Sequence, residues 1–213
     1  MQIAILGSGT MGSALGTSFA KAGHAVTFSY SRDPQKLARL AKRNGPRART
    51  AAPADAVRGA TVVVLTVHWQ QVPQVLKLVG SLRGKTLIDV TNPMSPSDEK
   101  LVVGLRSSGG ETVARRARGA RVVKAFNTVP AELLRAGPRV LVERPGVCFC
   151  GDDRKAKRLV ARLIRDIGFE PVDCGKLTNA RFLEPLALLV AELAYYQGRR
   201  PEVGLRFLRP GRK

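Results

Sequence analysis

Met1-Gln-Ile-Ala-Ile-Leu-Gly-Ser-Gly-Thr-Met-Gly12 decides how this chain folds. The apolar run Ile3 to Leu6 reads as a strand, breaks into glycine, and resumes with Ala14, Leu15, Phe19 and Ala20 at the spacing of a helix stripe. Strand, glycine loop and helix in this order form the phosphate turn of dinucleotide-binding folds. Its first glycine permits a tight turn, its second lets the backbone approach a pyrophosphate, and its third allows close packing of helix on strand. Gly7, Gly9 and Gly12 hold those places, with Ser8, Thr10 and Met11 between them. A helix from about Met11 to Ala22 aims its free amides and positive dipole end at the phosphates.

Composition limits what this loop can serve. At 213 residues the chain is one large domain, or one domain with a C-terminal extension. Its 44% hydrophobic residues suffice for a core. No stretch reaches the roughly 18 apolar residues of a membrane span. The first strand begins at residue 2, so a cytoplasmic protein without a signal peptide is expected. Cys148 and Cys150 sit two apart on a strand-like run and Cys174 stands alone. With two histidines in the chain this spacing fits no zinc site, and buried thiols are expected instead. The net charge is +20, with 25 arginines against 11 lysines. Such a balance can mark a nucleic-acid binder, but the basic residues are scattered, aromatics are 5%, and no base-reading motif is present. A basic surface that attracts anionic small molecules is the expectation; neither nucleic acid nor membrane is the expected partner.

Outward from the loop, strand-like and helix-like segments alternate. This predicts an α/β fold of Rossmann type, with a doubly wound, mainly parallel sheet and a small C-terminal α/β extension. Gly23 stops the first helix and His24 to Tyr30 form a second strand. Asp33 to Arg43 is helical, with Asp33 as its cap, and Asn44-Gly-Pro46 ends it. Thr61 to Val67 is a continuous β-branched run, hence a buried strand, followed by a helix at Val72 to Val79 and a strand at Lys85 to Val90. Pro93 to Gly110, rich in Ser, Gly and Pro, reads as a mobile connection, with a basic helix at Glu111 to Arg118 after it. A strand at Arg121 to Ala125 follows. The last unit has a strand at Val147 to Cys150, a helix at Asp153 to Ile167, a strand at Phe169 to Asp173 and a long helix at Asn179 to Tyr196.

The end of the second strand selects the dinucleotide. NAD-binding proteins usually carry an Asp or Glu about 20 residues past the glycines, where it accepts hydrogen bonds from the ribose 2′-hydroxyl. Here the place reads Tyr30-Ser31-Arg32, with Lys36 one helical turn on. A hydroxyl, a guanidinium and an ammonium bind a 2′-phosphate that a carboxylate would repel, which favours NADP. In open α/β sheets ligands bind beyond the carboxyl ends of the strands. The remaining strand ends, Val67-His68-Trp69, Thr91-Asn92-Pro93 and Phe126-Asn127-Thr128, therefore supply the other candidates. Trp69 packs against the cofactor in this reading and Asn92 holds its ribose or nicotinamide amide. Asn127 and Thr128 line the second substrate's pocket, with His68 beside the site.

These blocks together resemble, over nearly the whole chain, the coenzyme F420-dependent NADP oxidoreductases. The resemblance rests on the glycine loop, Ser31-Arg32 with Lys36, Val67 to Trp69, and Val122-Val-Lys-Ala-Phe-Asn-Thr-Val-Pro-Ala131. It continues through Cys150-Gly-Asp-Asp153, Pro171-Val-Asp173, Asn179-Ala-Arg-Phe-Leu-Glu-Pro185 and Gly204-Leu-Arg-Phe-Leu208. It implies that Gly9 to Met11, Ser31, Arg32, Lys36, Trp69, Asn92 and Ala131 bind NADP. It also implies hydride passage between stacked rings, a homodimer, and a division into an NADP-binding domain at 1–130 and a segment at 131–213 that closes over the deazaflavin. A broader group of dinucleotide-binding reductases and the nucleotide domain of transmembrane metalloreductases share the Lys-Ala-Phe-Asn-Thr block.

The mechanism follows from what is missing. Carbonyl reduction needs a positioned general acid, and no Tyr-x-x-x-Lys pattern exists; the tyrosines are Tyr30, Tyr195 and Tyr196. Hydride exchange between nicotinamide and a deazaflavin requires stacking and exclusion of water, because the cofactors carry the chemistry. No catalytic side chain is therefore assigned. F420 is polyanionic, and basic groups such as Arg199, Arg200 and Arg206 favour its approach. The alternatives are reduction of FMN or FAD, reduction of a small imine or carbonyl with His68 as acid, and a non-enzymatic NADP-sensing or nucleic-acid-binding module.

Overall fold

The computed structural model describes residues 1–97, 100–104, 106–197 and 200–208. Eight strands are present among them: β1 (Gln2–Leu6), β2 (Ala25–Ser29), β3 (Ala48–Thr50), β4 (Val62–Leu65), β5 (Thr86–Asp89), β6 (Arg121–Ala125), β7 (Gly146–Gly151) and β8 (Glu170–Asp173). They form one sheet in the order β3-β2-β1-β4-β5-β6-β7-β8. Neighbours run parallel except β6 and β7, which are antiparallel. The helices are α1 (Thr10–Lys21), α2 (Pro34–Arg43), α3 (Pro53–Arg58), α4 (Val72–Val79), α5 (Gly109–Arg116), α6 (Ala131–Ala136), α7 (Arg154–Asp166) and α8 (Ala180–Ala191).

Strand β4, and β1 from Ile3 onward, are apolar throughout because both faces are covered. Successive strand side chains point to opposite faces, so Ile3, Ile5, Val62 and Val64 pack under α1, α6 and α7. Ala4, Leu6, Val63 and Leu65 pack under α3, α4, α5 and α8. Each Val, Leu or Ile buried in this way contributes about 1.5–3 kcal/mol. Cys148 and Cys150 lie in the second of these layers and Cys174 is half-buried, so the cysteines serve as core thiols. Burial pushes the Cys150 thiol up to about 12.

Because β1 lies between β2 and β4, the chain leaves it in opposite directions along the sheet. Helices on either side of that point cover opposite faces, and a crevice opens at the carboxyl ends of β1 and β4. Four elements depart from the expectations. Edge strand β3 and helices α3 and α6 occupy stretches that read as connections, and α5 begins at Gly109, with Ser108 as its cap. The end of the expected mobile stretch is thus packed: Ser108, Gly109 and Gly110 are buried. The long C-terminal helix is α8 followed by a π-helical turn at Glu192–Tyr196.

Candidate functional site

The glycine loop takes its shape from three different steric demands. Gly7 sits at φ +112°, and a Cβ there would lie 2.8 Å from the Thr66 carbonyl oxygen. At Gly12 a Cβ would fall 2.0 Å from the Gly7 oxygen, so only glycine lets α1 lie this close to the turn. A Cβ on Gly9 would meet nothing within 4 Å. Gly9 caps α1 without a side-chain acceptor, and no acid stands in the first turn. The amide end of α1 therefore opens onto empty space of the kind a phosphate fills. Thr66, which sequence reading passed over, donates its hydroxyl to the Leu6 and Gly7 oxygens at 3.0 and 3.1 Å and pins the loop to β4.

At the end of β2 the backbone turns sharply, with Tyr30 at φ +61°. Ser31, Arg32 and Lys36 follow on one side of a cleft of about 530 Å³ that also takes in Gly7 to Met11. Asp33 is committed elsewhere: its carboxylate accepts from the Lys36 amide at 3.2 Å and from Arg39 at 3.0 Å, capping α2 as expected. His68, Trp69, Asn92 and Asn127 line the same cleft, Trp69 half-buried and His68 exposed. Gly12 stands behind it, in the packing of α1.

A second cavity of about 430 Å³ adjoins the first and shares Thr10, Met11, Asn92 and Asn127 with it. Thr128 and Ala131 line this one, opposite Ala187, Val190 and Ala191 of α8. Phe126, just before, is at φ +66°, a second non-glycine residue held left-handed at a strand end. Asn127 donates through Nδ2 to the Asn92 side chain at 3.1 Å and to the Leu183 oxygen at 2.9 Å. Its Oδ1 and the Thr128 hydroxyl are buried with no hydrogen-bond partner among the described residues. Unpaired buried polar atoms cost about 1–3 kcal/mol each, and both residues lie on the lining of this cavity.

Tyr195, also on this cavity, was not singled out by the sequence. It donates to the Glu132 carboxylate at 2.6 Å and closes the outer rim. Burial and that carboxylate hold its phenol above the usual tyrosine range. A larger groove of about 1230 Å³ runs between α1, α2 and α6, with Lys21, Lys36, Arg39, Arg43, Arg135 and Arg139 along it. Of the C-terminal cations, Arg206 pairs with Glu143, Arg200 is exposed, and Arg199 lies outside the described residues.

Sheet order, glycine turn and crevice define a dinucleotide-binding fold. Comparison with known proteins narrows this. The family model described as NADP oxidoreductase, coenzyme F420-dependent, matches residues 2–93. The F420-dependent NADP reductase of Methanothermobacter thermautotrophicus is 34% identical over 212 residues, covering 91% of this chain and 89% of that one. A solved structure from Arthrobacter sp. FB24, described as an F420-dependent NADP reductase, superposes with a TM-score of 0.83 at 31% identity, covering 93% and 95% of the two chains. The metalloreductase STEAP3 of Rattus norvegicus is 35% identical over 190 residues, which span 88% of this chain but only 37% of that protein. The chain belongs to the family of F420-dependent NADP reductases.

Proposed function

We propose that the protein exchanges a hydride between NADP(H) and the deazaflavin coenzyme F420, as a cytoplasmic homodimer. The observation that carries this reading is the pair of adjoining cavities. One begins at a phosphate turn and a cationic strand end; the other carries two unpartnered buried polar atoms; both meet at Thr10, Met11, Asn92 and Asn127. Two ring systems laid in the two cavities would stack at that boundary. The family membership names the second ring as a deazaflavin.

The residues fit the dinucleotide. The open space at Gly9 and the α1 amides take the pyrophosphate, Ser31, Arg32 and Lys36 take the 2′-phosphate, and Asn92 with Trp69 borders the ribose and nicotinamide. When bound, the nicotinamide and the deazaflavin supply the hydride donor and acceptor. The chain's part is to hold the rings and keep water out. Met11, Ala131 and the apolar face of α8 do the latter, while Asn127 Oδ1 and the Thr128 hydroxyl orient the acceptor ring. This arrangement needs no general acid, in keeping with His68 lying exposed at the rim.

The test is the purified chain with NADP and reduced F420, followed by the appearance of NADPH. Turnover is expected; turnover with FMN or FAD but none with F420 would move the acceptor to an ordinary flavin.

A further inference from the structure

Lys124 stands in the middle of β6 with no exposure to solvent, in a strand otherwise read as core. Its ammonium lies 2.9 Å from Asp89 Oδ2 on β5 and 2.9 Å from Glu184 Oε1 on α8, both carboxylates being buried as fully. It also donates to the Thr91 oxygen. Burial alone would push this ammonium down, but Asp89 and Glu184 outweigh it and hold it above the usual lysine range. Glu184 accepts in addition from the Gly109 and Gly110 amides at 2.9 and 3.0 Å. Two carboxylates against one ammonium leave an excess negative charge, which the amide end of α5 meets. A Cβ at Gly109 would lie 3.1 Å from Glu184 Oε1, so the glycines let the helix end come this close.

The network reaches the site on both sides. Asp89 Oδ1 accepts from the Thr91 amide at 3.0 Å and its hydroxyl at 2.7 Å, fixing the turn that presents Asn92. Glu184 follows Leu183, whose oxygen holds Asn127. The same helix, one turn on, presents Ala187, Val190 and Ala191 to the second cavity. A buried ion cluster is weak support for stability, since well-packed apolar residues often do as well. What apolar residues cannot reproduce is this directional hold on α8 and on two strand ends at once.

We infer that Lys124, with Asp89 and Glu184, is a positioning group for the electron acceptor: it seats α8 against the ends of β5 and β6 and so fixes the Asn127 oxygen and the apolar wall of the second cavity. This rests on the reading that the second cavity takes the acceptor. Of this network only Thr91 lines a cavity, the first; Lys124, Asp89 and Glu184 line neither, so they act through Asn92, Asn127 and α8.

The test uses the full chain. Lys124→Met alone strands two buried carboxylates and is expected to fold poorly. Glu184→Gln keeps the volume, and the pair Lys124→Met with Glu184→Gln keeps the net charge of the cluster. Three quantities are measured for each: the dissociation constant of NADPH by nicotinamide fluorescence, that of oxidised F420 or FMN for the NADP-saturated protein, and the melting temperature. In both variants acceptor binding is expected to weaken about tenfold or more while NADPH binding stays within about twofold. A lower melting temperature with acceptor binding unchanged would reduce the cluster to a structural one and overturn the inference, as would an equal loss for both ligands. If the unsubstituted protein binds neither F420 nor FMN, the functional reading fails as well. If it binds one and the variants bind it equally, only the positioning role fails.

Discussion

At the end of β2 the cofactor choice comes down to single side chains. Asp33 is the one acid near the place where NAD-binding proteins carry a carboxylate, and both its oxygens are engaged by the α2 amide end and Arg39. The side chains of Arg32 and Lys36 are exposed on the cleft and take no part in the helix cap. A charge-assisted hydrogen bond contributes about 1.5–3 kcal/mol. Arg32→Ala is therefore expected to weaken NADPH binding about tenfold or more and to leave NADH binding nearly unchanged. Titration of both nucleotides checks this; an equal loss for both would show that Arg32 serves the fold or the pyrophosphate rather than the 2′-phosphate. Much of this site was legible because phosphate chemistry demands particular residues at particular spacings, and glycines and cations announce themselves. Lys124 was not. In Val122-Val-Lys-Ala-Phe126 a lysine inside an apolar strand signals a buried partner, but its partners sit 35 and 60 residues away. Nor does any spacing reveal that Asn127 would spend its amide on α8 and keep its oxygen free.

Elements were legible in proportion to their length and periodicity. Strand β4 and β1 from Ile3 onward are unbroken apolar runs, and α4 and α7 carry regular stripes. By contrast β3 has three residues at the sheet edge and α3 has six, too few to show a period. The reversed direction of β7 was hidden for another reason: a strand buried on both faces has the same apolar pattern in either direction. Contacts between elements are less legible still, and His24 is an example. Immediately before β2 it is buried, with Nδ1 3.2 Å from the Met1 amine and Nε2 3.2 Å from Asp166 at the end of α7. Its pKa is lowered by burial first and by the Met1 amine next, with Arg162 adding slightly, against the opposing pull of Asp166. A lowered pKa means that the unfolded chain takes up the proton more readily than the folded one. The stability His24 confers is thus present above the ordinary histidine range and lost as pH falls below about 6.5. The melting temperature is expected to drop across that interval, and His24→Gln is expected to flatten the drop. An unchanged pH profile in the variant would show that other groups govern it.

On the scale of the whole molecule, a net charge of +20 limits where two copies of the proposed homodimer can meet. Like-charged surfaces repel, so a self-association face must be one from which free cations are absent. The stretch from Ala180 to Tyr196 is such a place. Its one cation, Arg181, is held by Glu111 at 2.7 Å, and it carries two acids. Along its outer side Phe182 and Leu189 stand two helical turns apart on α8, and Tyr196 follows on the π-helical turn. Phe182, Leu189 and Tyr196 are 66%, 56% and 73% exposed. Large apolar side chains left open along one element mark an interaction surface, and in the proposed homodimer a two-fold axis beside them lets this stretch cover its own copy without any further complementary face. Leu189→Glu is expected to convert a dimer into a monomer in analytical ultracentrifugation; a wild-type chain that sediments as a monomer at micromolar concentration would remove the argument. The opposite side of the same helix walls the second cavity through Ala187, Val190 and Ala191. Exposing the outer side therefore loosens the wall from behind, and the monomeric variant is expected to lose affinity for the electron acceptor while its phosphate turn, on the far side of Met11, still holds NADPH.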